Sequence, residues 1–262
     1  MNHLNREDLL SVAVEASLAA SHVIMESLGD SRVTNFKGKT DLVTETDIKS
    51  ENTIKAILKE AYPEHGILAE ESVKESSKSD YLWIIDPLDG TTNFVHGYPS
   101  FAISIGLFYK DSPIVGVVLE MPHIKLYTAI KGKGAWCEGS TIKCSHTSSI
   151  QNSLLVTGFG YDHESLWKRN MKLFKHFTDI SQGVRRLGAA SIDICHVAAG
   201  KVDGYWEFDL KPWDMAAGIL IAEEAGCKIT SLGGREHNIY DNSILITNNR
   251  IHRQMVEEAS SI

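Results

Sequence analysis

Residues 101–136 constrain the fold most strongly, because they form four apolar or alternating stretches separated by turn residues. The stretches read FAISIGLFYK, SPIVGVVLEM, IKLYTAIKG and GAWCEG, and the turns carry Asp-Ser-Pro, Pro-His and Gly-Lys-Gly. Runs of this length joined by short turns are typical of antiparallel strands that follow one another in a meander. The sequence therefore predicts an antiparallel sheet in the first half of the chain.

Segments with helical periodicity lie before and after this predicted sheet. The apolar residues that recur at helical spacing within residues 7–28 are Leu10, Val14, Leu18 and Met25. Asp47 is expected to cap a second helix that ends at Tyr62. Further helices are predicted over 164–178, over KPWDMAAGILIAEEAG and at the C-terminus, with the short strands GILA, YLWIID, SLLVT, VDGYWEF, CKIT and SILIT between them. With no linker or repeat, we expect one layered α+β domain over residues 1–262.

Composition limits the partners. The chain of 262 residues has a formal net charge of −8, which argues against nucleic acid or an anionic membrane as its main partner. Apolar runs such as Phe101–Tyr109 are too short to span a bilayer, and the N-terminal residues do not resemble a signal peptide. The four cysteines show no CxxC spacing. A cytoplasmic location in a reducing compartment is the expectation.

Acidic residues stand where predicted elements end. The segment WIIDPLDGTTNF (83–94) places Asp86 and Asp89 directly after an apolar strand, GILAEES ends in Glu70 and Glu71, and KPWDMAAG carries Asp214. Any one of these acids is also explained as a helix cap or a solvated surface charge. Together, at strand ends that converge on one crevice, they predict an oxygen-only site for a hard cation, Mg²⁺ or Mn²⁺.

The residues after Asp89 suggest an anion site. Gly90 permits a tight turn, and a helix that began there would present backbone N–H groups to an anion. Thr91 and Thr92 supply hydroxyls, although simple capping of that helix explains them equally well. A cation site beside an anion site indicates phosphate chemistry.

The segments GILAEES, WIIDPLDGTTNFVHGYPSFAISIGL and KPWDMAAGILIAEEAG closely resemble the signature segments of the inositol monophosphatase family. The stretch from VTGFGYDHE to GVRRLGAASIDICHVAAGKVDGYWEF is most similar to cyanobacterial and chloroplast members. The resemblance implies a layered αβαβα sandwich. It also implies a homodimer that hydrolyses small phosphate monoesters with two or three Mg²⁺ ions and is often inhibited by Li⁺.

The resemblance also assigns metal ligands. Glu70 and Asp86, with the carbonyl of Leu88, match the first metal site. Asp86, Asp89 and Asp214 match the second, so that Asp86 bridges the two. Metal and phosphate ligands thus come mainly from residues 1–150, while residues 151–262 supply Asp214 and the pocket for the alcohol part of the substrate.

Other roles follow in the same way. Asp47 and Thr91 match the pair that orients and deprotonates the attacking water, with Glu71 behind them, and the backbone of Gly90 and Thr91 matches the phosphate cradle. The residues that match positions around the substrate alcohol are Asp89, Gly188, Ala190 and Glu207.

Four further candidates depart from the family pattern or extend it. Tyr161 falls where animal members have a small serine, and Lys37 matches a loop lysine only after a shift of one residue. Arg185 and Arg186 have the fork geometry that suits a second phosphate, although ordinary surface ion pairing explains them too.

The alternatives within the enzyme class are a fructose-1,6-bisphosphatase, a histidinol-phosphatase that would use Glu207 for the substrate amine, and a phosphatase of 3′-phosphoadenosine nucleotides. A different class is a protein that binds metal and phosphate without turnover, as a sensor or regulatory partner. The presence of both Asp47 and Thr91 argues for catalysis, because a sensor needs neither.

Overall fold

The computed structural model describes residues 5–29, 34–36, 42–72, 78–160 and 164–262, with the backbone alone for 34–36 and 42–43. The helices are α1 (Arg6–Glu26), α2 (Glu45–Ala61), α3 (Thr91–His96), α4 (Ser165–Ile180), α5 (Ala190–Ala198), α6 (Pro212–Glu224) and α7 (His252–Ser260), with one 3₁₀ turn (Ile150–Asn152). The strands are β1 (Thr34–Phe36), β2 (Leu42–Thr44), β3 (Gly66–Ala69), β4 (Tyr81–Asp89), β5 (Phe101–Tyr109), β6 (Ser112–Met121), β7 (Lys125–Ile130), β8 (Gly134–Cys137), β9 (Ser140–Thr141), β10 (Leu154–Thr157), β11 (Gly183–Arg185), β12 (Gly204–Phe208), β13 (Lys228–Thr230) and β14 (Ser243–Thr247).

The predicted meander forms the centre of a seven-stranded sheet of order β3-β4-β5-β6-β7-β8-β9. All neighbouring strands are antiparallel except β3 and β4, which run parallel. A five-stranded sheet of order β11-β10-β12-β14-β13 follows in the second half of the chain, parallel around β10 and antiparallel around β14. β1 and β2 pair as a separate antiparallel ribbon.

Buried hydrophobic clusters pack five layers against one another. Helices α1 and α2 cover one face of the large sheet, where Leu9 and Ile54 join Trp83 and Ile105 in one cluster. Helices α5 and α6 lie between the two sheets. Helices α4 and α7 cover the outer face of the small sheet. The expected αβαβα sandwich is therefore confirmed.

Helix α1 buries a different face from the one predicted. Leu18 and Met25 are 39% and 37% exposed. The buried face instead contains the small residues Ala13, Ala16 and Ala20 between Leu9 and Ile24. Small side chains let this helix approach its neighbours closely. Close packing, and not the size of the apolar side chains, therefore decides which face of the helix is buried. In α4, the apolar residue Met171 is likewise exposed.

Helix α1 also corrects the expectation that no apolar segment is long enough for a bilayer. By length and composition alone this 21-residue helix passes that test, because a window of 18 residues within it has a mean hydropathy of 1.4. One such helix is weak evidence, because core helices of soluble proteins pass the same test. Here α1 packs its buried face against α2 and the large sheet.

Helix α6 touches the large sheet at two glycines. A Cβ atom on Gly106 would lie 2.9 Å from Cβ of Ala216, and one on Gly116 would lie 2.7 Å from the carbonyl oxygen of Ala217. No side chain fits at such distances, so these glycines set how closely α6 approaches the sheet. The helix begins with Pro212 in its first turn, as predicted, and its first turn also holds Asp214.

We predict that Gly116→Ala lowers the free energy of unfolding by about 1–3 kcal/mol, because the added methyl group meets helix backbone that cannot move alone. Denaturant unfolding measures the loss. Gly233→Ala is the control, since the nearest atom to its added methyl is 4.0 Å away. Equal effects of the two substitutions would contradict this account of the contact.

Candidate active site

A cavity of about 400 Å³ collects most of the predicted site residues. Those that line it are Glu70, Asp86, Leu88, Asp89, Gly90, Thr91, Arg186, Gly188, Ala190, Glu207 and Asp214. They come from the ends of β3 and β4, from the starts of α3, α5 and α6, and from β12. Segments far apart in sequence thus meet at one opening between the layers.

The end of β4 is irregular because Pro87 has no N–H to donate to β5. Pairing between the two strands shifts register between Asp86 and Asp89. Within the shift, the backbone N–H of Leu88 donates to Oδ1 of Asp86 at 3.0 Å. The hydroxyl of Ser50 on α2 donates to the carbonyl of Pro87 at 2.7 Å. This bulge places both aspartates on the cavity.

Burial and like charge both disfavour ionisation of the acids here. Desolvation raises the pKa of Asp86 well above its usual value, and repulsion from Glu70, Asp89 and Asp214 adds to that rise. Burial also raises the pKa of Asp89 to about 6, although hydrogen bonds from Ser191 oppose the rise. Desolvation raises the pKa of Asp214 well above its usual value, and repulsion from Asp89 adds to that rise. A cation would relieve this repulsion.

The donor set fits a hard divalent cation, since it consists of carboxylates and the carbonyl of Leu88. Among the residues that the structure describes, no three His, Cys, Asp or Glu side chains converge closely enough as they stand to form a finished metal-binding group.

Gly90 turns the chain from β4 into α3. Its φ of +86° lies in the left-handed region, and a Cβ atom there would be 3.0 Å from the carbonyl oxygen of Ser100. Helix α3 then begins at Thr91, as the anion-site prediction requires. Asn93 fixes the helix against the second half of the chain by donating to the carbonyls of Ser100 and Leu187 at 2.6 and 2.8 Å.

Thr91 does not cap α3, which has no side-chain cap. Its hydroxyl oxygen lies 2.9 Å from Oδ1 of Asp47 and 3.0 Å from the carbonyl oxygen of Leu88. Asp47 is fully buried, and desolvation raises its pKa despite hydrogen bonds from Thr44 and Thr91.

The prediction that Asp47 caps α2 was wrong, because Asp47 is not the N-cap residue. Thr44 is the N-cap, and its backbone N–H donates to Oδ2 of Asp47 at 2.8 Å in a capping box. The carboxylate oxygen Oδ2 is thus occupied within the helix terminus, while Oδ1 faces Thr91.

The other end of the cavity is formed by α5 and β12. Asp89 accepts hydrogen bonds from the backbone N–H of Ser191 at 2.8 Å and from its hydroxyl at 2.5 Å. The hydroxyl of Tyr205 donates to Oε2 of Glu207 at 2.6 Å. Gly158 makes room for Glu207, because a Cβ there would lie 2.1 Å from the carboxylate. Burial raises the pKa of Glu207 to about 7.

Some predicted residues stand apart. Glu71 does not line the cavity, and its backbone N–H donates to Oε2 of Glu51 at 2.8 Å. Arg185 is exposed outside the cavity, whereas its neighbour Arg186 lines it. Lys37 and Tyr161 lie outside the described residues.

Sequence reasoning missed Ser191, Asn93, Trp213 and Asp193, of which the last two line the cavity and the first two hold its walls. The signal for Asp193 was weak but present, since it is an acid inside the apolar helix ASIDICHVA.

Comparison with known proteins assigns the family. The profile of the inositol monophosphatase family matches residues 5–262, and the chain belongs to that family. It is 47% identical to "Phosphatase IMPL1, chloroplastic" of Arabidopsis thaliana over 95% of this chain and 69% of that protein. It is 44% identical to the inositol-1-monophosphatase of Synechocystis over 94% of this chain and 86% of that protein. The predicted likeness to chloroplast and cyanobacterial members is confirmed.

A solved structure shares the fold. Inositol monophosphatase from Anabaena is 41% identical, with a TM-score of 0.87 over 98% of this chain and 96% of that one. A relative from Aquifex aeolicus, 40% identical over 87% of this chain and 88% of that protein, is a "Fructose-1,6-bisphosphatase/inositol-1-monophosphatase". The family thus includes proteins named for more than one phosphate ester.

We predict that stability falls as pH rises from 4.5 to 7, because Glu207 binds its proton up to about pH 7 when folded but only to about 4.5 when unfolded. Stability from this group is complete below pH 4.5 and is lost through pH 7, a change of the order of 3 kcal/mol. Denaturant unfolding in a metal chelator measures the slope. Glu207→Gln should flatten it, and Glu15→Gln on the exposed side of α1 should not. A wild-type slope equal to that of Glu207→Gln would disprove the account.

Proposed function

We propose that this chain is a Mg²⁺-dependent phosphomonoesterase that hydrolyses inositol monophosphate to inositol and phosphate. The observation that carries the proposal is the Thr91 hydroxyl, held between buried Asp47 and the Leu88 carbonyl at the edge of a cavity lined by seven acids. A hydroxyl held by a buried carboxylate beside a cation site is the arrangement that water activation requires. Membership of a phosphatase family supports the same reaction.

Glu70, Asp86, the Leu88 carbonyl, Asp89 and Asp214 are the groups that would hold two or three Mg²⁺ ions, or Mn²⁺ in their place. When bound, the metal supplies polarisation of the phosphoryl oxygens and a water of lowered pKa. The all-oxygen donor set and the mutual repulsion of the acids support this assignment. The backbone at Gly90 and Thr91, at the start of α3, would receive the phosphate oxygens.

Proton transfer is assigned to Thr91 and Asp47. A hydroxyl has one proton, so when Thr91 donates to Oδ1 of Asp47 its lone pairs are free to accept from a water. As that water attacks phosphorus and the bond between phosphorus and the alcohol oxygen breaks, the proton of the water passes to Thr91 and the Thr91 proton passes to Asp47. The leaving alkoxide takes a proton from solvent water. The raised pKa of Asp47 makes this carboxylate a stronger base than an exposed aspartate.

The leaving alcohol would lie toward α5 and β12. Asp89, Ala190 and Glu207 face that end, and the Tyr205 hydroxyl fixes one oxygen of Glu207. Glu207 can accept hydrogen bonds from the hydroxyl groups of inositol.

A fructose-1,6-bisphosphatase activity is the second candidate, because Arg186 lines the cavity and one relative has both activities in its name. A guanidinium in the same cavity would suit a second phosphate. The homodimer and the Li⁺ sensitivity that the family resemblance suggests also belong to the proposal, as does the cytoplasmic location expected from the sequence, and light scattering would test the first.

For the first test, we expect Thr91→Val to lower kcat on inositol 1-phosphate by about 10²–10⁴-fold with little change in KM, because the relay hydroxyl is lost. Phosphate release at fixed Mg²⁺ measures this. Thr91→Ser should recover most of the activity. Thr92→Val, one residue further along α3 and outside the cavity, is the matched control. Wild-type kcat in Thr91→Val would rule out the relay.

The two substrates separate the candidates. We expect Arg186→Ala to leave kcat/KM on inositol 1-phosphate within about twofold, and to lower kcat/KM on fructose 1,6-bisphosphate by about tenfold if Arg186 pairs with the second phosphate. Arg185→Ala, exposed and outside the cavity, controls for the loss of one positive charge. A parallel fall on both esters would count against Arg186 as a bisphosphate contact.

A further inference from the structure

Asp193 is an unexplained acid in the wall of the cavity. It lies in α5, lines the cavity and is only 1% exposed. Neither of its carboxyl oxygens has a hydrogen-bond partner among the described residues. A buried carboxyl without partners costs free energy whether it is ionised or protonated. An occupant of the cavity that brings a hydrogen-bond donor would satisfy it.

The neighbours of Asp193 indicate what that occupant is. The charged groups that act on it are Glu207 and Asp89, which repel it, and Arg186, which attracts it. Oε2 of Glu207 already accepts from Tyr205, and Asp89 already accepts from Ser191. This end of the cavity is thus rich in acceptors, and it favours an occupant that brings hydrogen-bond donors without negative charge.

We propose that Asp193 is a specificity residue that accepts a hydrogen bond from a hydroxyl of the leaving group, directly or through one water. The inference rests on the proposed phosphatase function and narrows its substrate class to monophosphates of neutral polyols. An aryl leaving group offers no such donor and gains nothing from Asp193. A second phosphate at this position meets repulsion from the carboxyls.

If Asp193 has this role, substituting it should change substrate specificity without lowering the stability of the fold. Asp193→Asn keeps the shape but removes an acid that has no partner, so the fold should be as stable as the wild type or more stable. A merely structural carboxyl would behave like Asp203, which is buried and accepts from the backbone N–H of Leu154 at 2.8 Å. Asp203→Asn is therefore the matched control.

The experiment compares kcat/KM on myo-inositol 1-phosphate with kcat/KM on p-nitrophenyl phosphate for wild type, Asp193→Asn and Asp203→Asn, at one Mg²⁺ concentration. We expect the ratio of the two values to fall about tenfold or more in Asp193→Asn, with the melting temperature unchanged or raised, since the amide replaces one of the two carboxyl oxygens with an NH₂ donor. Asp203→Asn should lower the melting temperature and keep the ratio.

An unchanged ratio in Asp193→Asn overturns the inference, and so does a parallel loss on both esters with a lower melting temperature. Those results leave the proposed function intact, because wild-type turnover of both esters would stand. Absence of turnover of either ester by the wild type defeats the proposed function itself and the inference with it.

Discussion

Asp86 lies near the end of β4 with its carboxyl out of water, and the charges of Glu70, Asp89 and Asp214 act on it across one cavity. Repulsion between like charges is strong where little water screens it. The fold tolerates this repulsion by holding the acids on separate elements, at the ends of β3 and β4 and in the first turn of α6. Local hydrogen bonds, such as Leu88 N–H to Asp86, offset part of the cost.

Helix α6 is the element that brings the two halves of the chain to the same place. It touches the large sheet through Ala216 and Ala217, opposite two glycines, and the same helix borders the core that it shares with α5. The small residues that follow Asp214 in the sequence WDMAAG thus have a packing role. Their close contact fixes the first turn of α6 and, with it, the position of Asp214 relative to β4.

The sequence predicted the strands and layers well, because alternation and turn residues are local signals. It was less informative about helix faces. In α1 the buried stripe runs through Ala13 and Ala16 rather than Leu18, since close approach of the helix outweighs the size of the side chain. The role of Asp47 at the start of α2 was also misread, because Thr44 supplies the cap.

The site shows the same division between local and distant information. A short segment of sequence is enough to show that an acid follows a predicted strand or opens a predicted helix. The structure brings four such acids, Glu70, Asp86, Asp89 and Asp214, to one cavity. Ser191 and Asn93 were missed because their partners lie about a hundred residues away, at Asp89 and Leu187. Asp193 could be recognised only once its lack of partners was known.

The order in which the acids occur has a consequence for protein synthesis. Glu70, Asp86 and Asp89 leave the ribosome early, whereas Asp214 and the helix that carries it come from the last fifth of the chain. A nascent chain that ends before α6 therefore presents the early carboxyls without the element that completes their cavity. Capacity for the proposed chemistry would arise only once α6 has been made and docks between sheets whose strands are mostly already made.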